Sequence, residues 1–116
     1  MDKNFEVPIL LDIYGGVLPK VQRESLDMYY NGDLSLGEIA DNTGKSRQSV
    51  FDTIKRGERA LEEMEESLKI LAKSEILQNK IEIIKSLLLK VKAWTSDDKG
   101  KKLVDFICDE IEDLKF

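Results

Sequence analysis

The sequence predicts an all-α fold, with a helix-turn-helix head followed by a long helix and a C-terminal helical hairpin. Three observations carry that expectation. Ser35 to Arg59 reads as two helices joined by a tight glycine turn. Ahead of it, apolar residues fall at helical spacing and are punctuated by Gly15-Gly16, Pro19 and Asn31-Gly32, which stop or start helices. From Leu61 onward, apolar residues recur at intervals of three and four, as on the seam of packed helices.

Phe5, Ile9, Leu10, Ile13 and Tyr14 predict a first helix within Asn4 to Gly16, with Pro8 tolerated in its first turn, where an N–H has no helical partner anyway. Gly15-Gly16 ends it. Pro19 suits the first position of the next helix, whose apolar stripe is Val21, Leu26, Tyr29 and Tyr30. Asn31-Gly32-Asp33 then forms a turn of residues that accept positive φ. Tyr29 and Tyr30, beside a core at a helix end, read as packing residues in preference to a stacking platform for bases.

Ser35 is an N-cap, and Glu38 three residues later completes a capping box for a short helix carrying Leu36, Ile39 and Ala40. Gly44 ends that helix in the left-handed conformation, and Ser46 caps the next, which carries Val50, Phe51, Ile54 and Leu61 toward the core. Ala40 is the small residue where the two helices cross. Gly57 falls inside the second helix at a cost of about 1 kcal/mol relative to Ala.

The polar face of that second helix has residue types suited to a duplex. Arg forks onto guanine, Gln onto adenine, and Ser or Lys reaches phosphate. The candidate nucleic-acid-binding residues are therefore Lys45, Ser46, Arg47, Gln48, Ser49, Asp52, Lys55, Arg56 and Arg59. The competing reading is an ordinary solvated helix face. Within this set Arg47, Gln48, Ser49 and Asp52 are expected at base edges, and Lys45, Lys55, Arg56 and Arg59 at phosphates or the groove wall.

Beyond Arg59 the pattern changes to that of a rod. Leu61, Met64, Leu68 and Leu71 form one seam and Leu77, Ile81, Ile84, Leu88 and Val91 another, with a slip of phase between them that either displaces the seam or bends the helix near Lys73-Ser74. Ile76, Ile83, Leu87 and Leu89 widen the second stripe. Thr95 to Asp98 makes a turn and cap, and Leu103, Phe106, Ile107, Ile111 and Leu114 mark a last helix that folds back on Ile76 to Trp94. A two-helix hairpin leaves one apolar face bare. The expected cover is a second copy, with Leu77, Ile81, Ile84, Leu88, Val91, Phe106, Ile107 and Ile111 as the dimerisation residues and the heads at the ends. Docking of a different protein's helix is the alternative. The domain division expected is a head over 1–60 and a long-helix and hairpin dimerisation region over 61–116.

Composition bounds the function. The 116 residues, 41% hydrophobic and 35% charged, describe a soluble chain with one core and room for an elongated addition. With one cysteine, Cys108, and no histidine, no intramolecular disulfide, usual zinc site or His-based catalysis is available. Cys108 reads as a packed filler in a reducing compartment. Apolar runs such as Leu87 to Leu89 are too short to cross a bilayer, so a cytoplasmic protein without membrane insertion is expected. No phosphate loop, nucleophile with a base, or metal-spaced cluster is present, and Glu62-Glu63-Met64-Glu65-Glu66 reads as a solvated face, so neither catalysis nor a cofactor is expected. Net charge is −5, yet Lys45 to Arg59 has five basic residues against two acidic ones, a local +3. From Leu61 to the end, ten Lys stand against thirteen Asp and Glu, a local −3. Charge is thus segregated as a nucleic-acid-facing head and a non-binding tail require.

The runs Asp12-Ile13-Tyr14-Gly15, Leu18-Pro19-Lys20-Val21-Gln22-Arg23, Tyr29-Tyr30, Leu34-Ser35-Leu36-Gly37-Glu38-Ile39-Ala40 and Ser46 to Arg56 closely resemble the YlxM family of small bacterial proteins, whose heads look like region 4 of sigma factors. The similarity is strong up to Leu68 and fades in the tail. Thr43 and Lys45 stand where the family usually has apolar residues, which makes this turn more polar. Such proteins are usually encoded beside the signal recognition particle GTPase, and the resemblance implies a role in that secretion pathway.

Two function classes follow. One is a DNA-binding regulator that reads bases through Arg47 and Gln48. The other is an accessory factor that contacts the signal recognition particle GTPase or the particle's RNA and keeps the helix-turn-helix as a platform. A-form RNA has a groove too narrow for a recognition helix, so RNA binding would use shape and phosphate.

Overall fold

The computed structural model describes residues 2–114. Among these, six α-helices follow in order, and no strand: α1 (Lys3–Tyr14), α2 (Lys20–Leu26), α3 (Leu36–Thr43), α4 (Arg47–Leu68), α5 (Ile70–Trp94) and α6 (Asp98–Glu112). They form two compact units, Met1–Leu71 and Ala72–Phe116.

In the first unit, α1 starts earlier than its stripe implied. Asp2 caps it by accepting from the Asn4 N–H at 3.2 Å, so Pro8 lies in the helix interior instead of the first turn. The buried stripe is Val7, Leu10, Leu11 and Tyr14, while Phe5 is 68% exposed and Ile9 is also outside. Both sets have helical spacing. A helix this apolar around its circumference offers two overlapping stripes, and the partner helices select one.

Pro19 caps α2, which buries Ser25 and Leu26 and leaves Val21 exposed. The chain continues through a π-helical turn, Asp27–Asn31, closed by Gly32 N–H to the Asp27 carbonyl at 3.0 Å. In the turn that follows, positive φ belongs to Asp33 (φ 54°) and not to Gly32. Gly32 is needed for another reason: a Cβ there would sit 2.8 Å from the Met28 carbonyl oxygen.

Leu10, Leu26, Ile39, Val50 and Leu61 are fully buried at the centre of this unit. Each contributes about 1.5–3 kcal/mol of transfer free energy as an upper bound. Gly57 is where α4 meets α2. A Cβ there would lie 2.7 Å from Leu26 Cδ1, so the glycine buys close approach at the expense of helix propensity.

The seam read from Leu61 onward belongs partly to the head. Leu61 is central to the core, with Met64, Ile70 and Leu71 packed on it, while Leu68 is half exposed. The interruption of phase is neither a displaced seam nor a bend at Lys73-Ser74. α4 ends at Lys69 in the left-handed conformation (φ 54°, ψ 34°), and α5 then runs through Lys73-Ser74 unbroken. Head residues serve the first N–H groups of α5. The Tyr14 hydroxyl accepts from Ile70 N–H at 3.2 Å and donates to Glu65 Oε1 at 2.7 Å, which also accepts from Leu71 N–H at 3.0 Å. Burial pushes the Tyr14 phenol above its ordinary pKa, and the Glu65 bond adds to this.

The second unit is an antiparallel hairpin of α5 and α6. Asp97 caps α6 by accepting from Lys99 N–H at 3.1 Å. Lys92 pairs with Asp105 at 2.7 Å and Lys85 pairs with Glu112, so seven residues back along α5 match seven forward along α6. These carboxylates hold both lysines above the ordinary lysine pKa. Ile81 and Val104 are buried between the helices, and Leu77, Leu88, Ile111 and Cys108 are half-buried. Val104 was absent from the apolar stripe read on α6. Of that stripe, Leu103, Phe106, Ile107 and Leu114 remain exposed, as do Ile84 and Val91 on α5. Among the described residues, no helix is long and apolar enough to cross a membrane.

Candidate nucleic-acid interface

The turn between α3 and α4 is built from short-range bonds. Ser35 accepts from Glu38 N–H and Glu38 accepts from Ser35 N–H, both at 3.1 Å, a full capping box. The Ser35 backbone donor, then its hydroxyl, hold the Glu38 carboxyl below the usual carboxylate range. Gly44 takes φ 68°, and Lys45 N–H returns to the Ala40 carbonyl at 3.1 Å. Ser46 then caps α4 through Ser49 N–H at 3.1 Å. Ala40 is buried where α3 meets α4, as a close crossing demands. Four polar or glycine residues thus fix the start of α4 relative to α3.

Of the nine candidates, all but Ser49 are exposed, and Ser49 is half-buried. They do not share one direction. Consecutive residues on a helix differ by about 100°, so Gln48, Asp52, Lys55 and Arg59 form one outward line, with Arg56 beside it. Arg47 turns toward α3 and lies over Gly37, where a Cβ would stand 3.5 Å from its Nε. The Ser49 carbonyl accepts from the Thr53 hydroxyl at 2.9 Å. Within the line, Gln48 Nε2 donates to Asp52 Oδ1 at 3.0 Å. The Lys55 ammonium lies 5.5 Å from the centre of the Phe51 ring, a residue read as core but 40% exposed. Phe51 serves as a platform for that cation instead.

Sequence reasoning missed Glu58, which it counted only as a charge. Its side chain is 5% exposed. Tyr30 donates its hydroxyl to Oε1, while Lys3 at 3.4 Å and Lys55 at 3.5 Å pair with Oε2. Burial, reinforced by that carboxylate, pushes the Tyr30 phenol well above its ordinary range. A signal existed: Glu58 stands four residues after Ile54 and three before Leu61, on the flank of the buried stripe. Lys3 carried none, because only the packing of α1 on α4 brings it here.

Comparison with known proteins bears on the same stretch. Residues 1–103 match the family described as "Putative helix-turn-helix protein, YlxM / p13 like". A UPF0122 protein of Acetivibrio thermocellus is 50% identical over 90 residues, covering 75% of each chain. One from a Thermoanaerobacter species is 39% identical over 115 residues and one from Shouchella clausii 38% over 114, each covering 98% of both chains. With a capped two-helix turn in its head and relatives of matching length, this chain belongs to the YlxM / p13-like helix-turn-helix family.

Proposed function

We propose that this protein is a DNA-binding regulator in which α4 is the recognition helix. The observation that carries this is the outward line of Gln48, Asp52, Lys55 and Arg59, flanked by Arg47 and Arg56, on a helix whose entry is fixed by the Gly44 turn and Ser46 cap. Gln48 and Arg47 stand in the first turn, the part of a recognition helix that reaches base edges, and Lys45, Lys55, Arg56 and Arg59 approach phosphates. Selection from a random pool of duplexes tests it: an enriched motif whose ranking shifts in Gln48→Ala supports base reading, and no enrichment at low salt contradicts it.

The pairings of Gln48 with Asp52 and of Lys55 with Glu58 favour a second reading, since one base-reading group and one phosphate-facing group are engaged within the head. Under it, the protein is a factor of the secretion pathway, binding the signal recognition particle GTPase or the particle's RNA. Binding to either, with no enriched duplex, would support this reading.

The protein acts as a homodimer through the hairpin. Leu77, Ile81, Leu88 and Ile111 are used within it, whereas Ile83, Ile84, Leu87 and Val91 of α5 and Leu103, Phe106 and Ile107 of α6 remain exposed. With the helices antiparallel, and Lys85 and Lys92 tied to Glu112 and Asp105 along one side, helical spacing puts both exposed sets together on the opposite side. Two such faces together complete a four-helix bundle. Light scattering at tens of micromolar should give twice the 13.3 kDa chain mass. A strict monomer, or a dimer unaffected by Leu87→Glu, contradicts the assignment.

A further inference from the structure

Two ammonium groups from different helices converge on one buried carboxylate: Lys3 in the first turn of α1 and Lys55 on the outward line of α4 both pair with Oε2 of Glu58. One carboxylate neutralises one of them. Arg59 and Glu62 line the same open depression, which therefore holds three cations against two anions. The Lys3 and Lys55 side chains are half exposed. Each ammonium has three donors, so some of them remain for a ligand in solvent. Packing does not require Lys3 at this position. Lys55 already pairs with Glu58, and a cation in the first turn of a helix opposes its dipole. Lys55 and Arg59 continue the line of Gln48 and Asp52 away from the α4 N-terminus. That is where a recognition helix leaves the groove and meets the sugar-phosphate backbone.

We propose that this depression between α1 and α4 is a phosphate clamp, in which Lys3, Lys55 and Arg59 hold one backbone phosphate of duplex DNA. The buried Glu58, fixed by Tyr30, positions the two lysines for it. The inference rests on the DNA reading above and extends the interface to α1. Anisotropy titrations of the full chain with unrelated mixed-sequence duplexes, at salt between about 50 and 200 mM, test it. Lys3→Ala should weaken binding several-fold at low salt, equally for every sequence, and make the slope of log affinity against log salt shallower by about 0.9. Lys3→Arg should retain both. If Lys3→Ala lowers the melting temperature but leaves affinity and slope at wild-type values, Lys3 only neutralises Glu58 and the clamp is wrong. If in addition Arg47→Ala alters binding, the DNA reading survives that failure. If the wild-type chain binds no duplex at any salt, the DNA reading falls and the clamp with it.

Discussion

Gly57→Ala should destabilise the head, although helix propensity alone predicts the reverse. Alanine in a helix interior is favoured over glycine by about 0.5–1 kcal/mol. The added Cβ, however, would lie 2.7 Å from Leu26 Cδ1 and 3.2 Å from Leu26 Cγ. Leu26 is fully buried, so it cannot swing into solvent, and either its rotamer or the spacing of α2 and α4 must change. Overpacking of this kind costs about 1–3 kcal/mol, which set against the propensity gain leaves a net loss of up to about 2.5 kcal/mol, with about 1 kcal/mol at the middle of the range. At roughly 4–8 °C per kcal/mol for a domain of this size, thermal unfolding followed by circular dichroism should show a clear drop in Tm. In a Leu26→Ala background the same change should become neutral or stabilising, because its collision partner is gone. A Tm at or above wild type for Gly57→Ala alone would mean that Leu26 gives way without cost and that the glycine is not required for the approach of α2 to α4.

The other expectations concern caps, strain and titration. Ser46→Ala removes the acceptor for Ser49 N–H and should cost about 1 kcal/mol, read as a lower Tm and faster amide exchange in the first turn of α4. Lys69→Gly should raise Tm, because Lys69 holds φ 54°, a conformation costing a residue with a side chain roughly 1 kcal/mol that glycine avoids. Tyr30 has its phenol raised in the folded state by burial and Glu58, so its contribution is present below its ordinary value of 10.0 and lost as pH rises above it. Tyr30→Phe should therefore flatten the alkaline loss of stability while lowering stability at neutral pH by about 1.5–3 kcal/mol, the worth of a hydrogen bond to a charged group. Equal alkaline profiles for the two proteins in a pH series of melts would contradict this.

Features set by a few neighbouring residues were legible in the sequence. Ser35 with Glu38, Gly44 with its positive φ, Ser46, and Asp97 act through bonds to backbone groups two to five residues away, and each occupies the expected role. Features set by a partner helix were not. The choice between the Phe5-Ile9 and Val7-Leu11 stripes of α1 needs α4 present, and so does the burial of Glu58. The break at Lys69 carries no Gly or Pro signal, and of the two groups that serve the N–H groups beyond it, Glu65 is local while Tyr14 arrives only through the packing of α1. Gly57 is a propensity defect by sequence alone, and only the position of Leu26 on α2 gives it a packing role. In the candidate interface, residue types could be read but not directions: Arg47, Gln48 and Ser49 are consecutive and point three ways.

Whether α4 reads duplex DNA is decided by selection from a random duplex pool at two salt concentrations, with wild type and Gln48→Ala in parallel. A reading helix gives an enriched motif for the wild type, affinity falling steeply with salt, and a changed ranking of bases for Gln48→Ala. No enriched motif, or identical rankings for the two proteins alongside binding to signal recognition particle RNA or its GTPase, would contradict it.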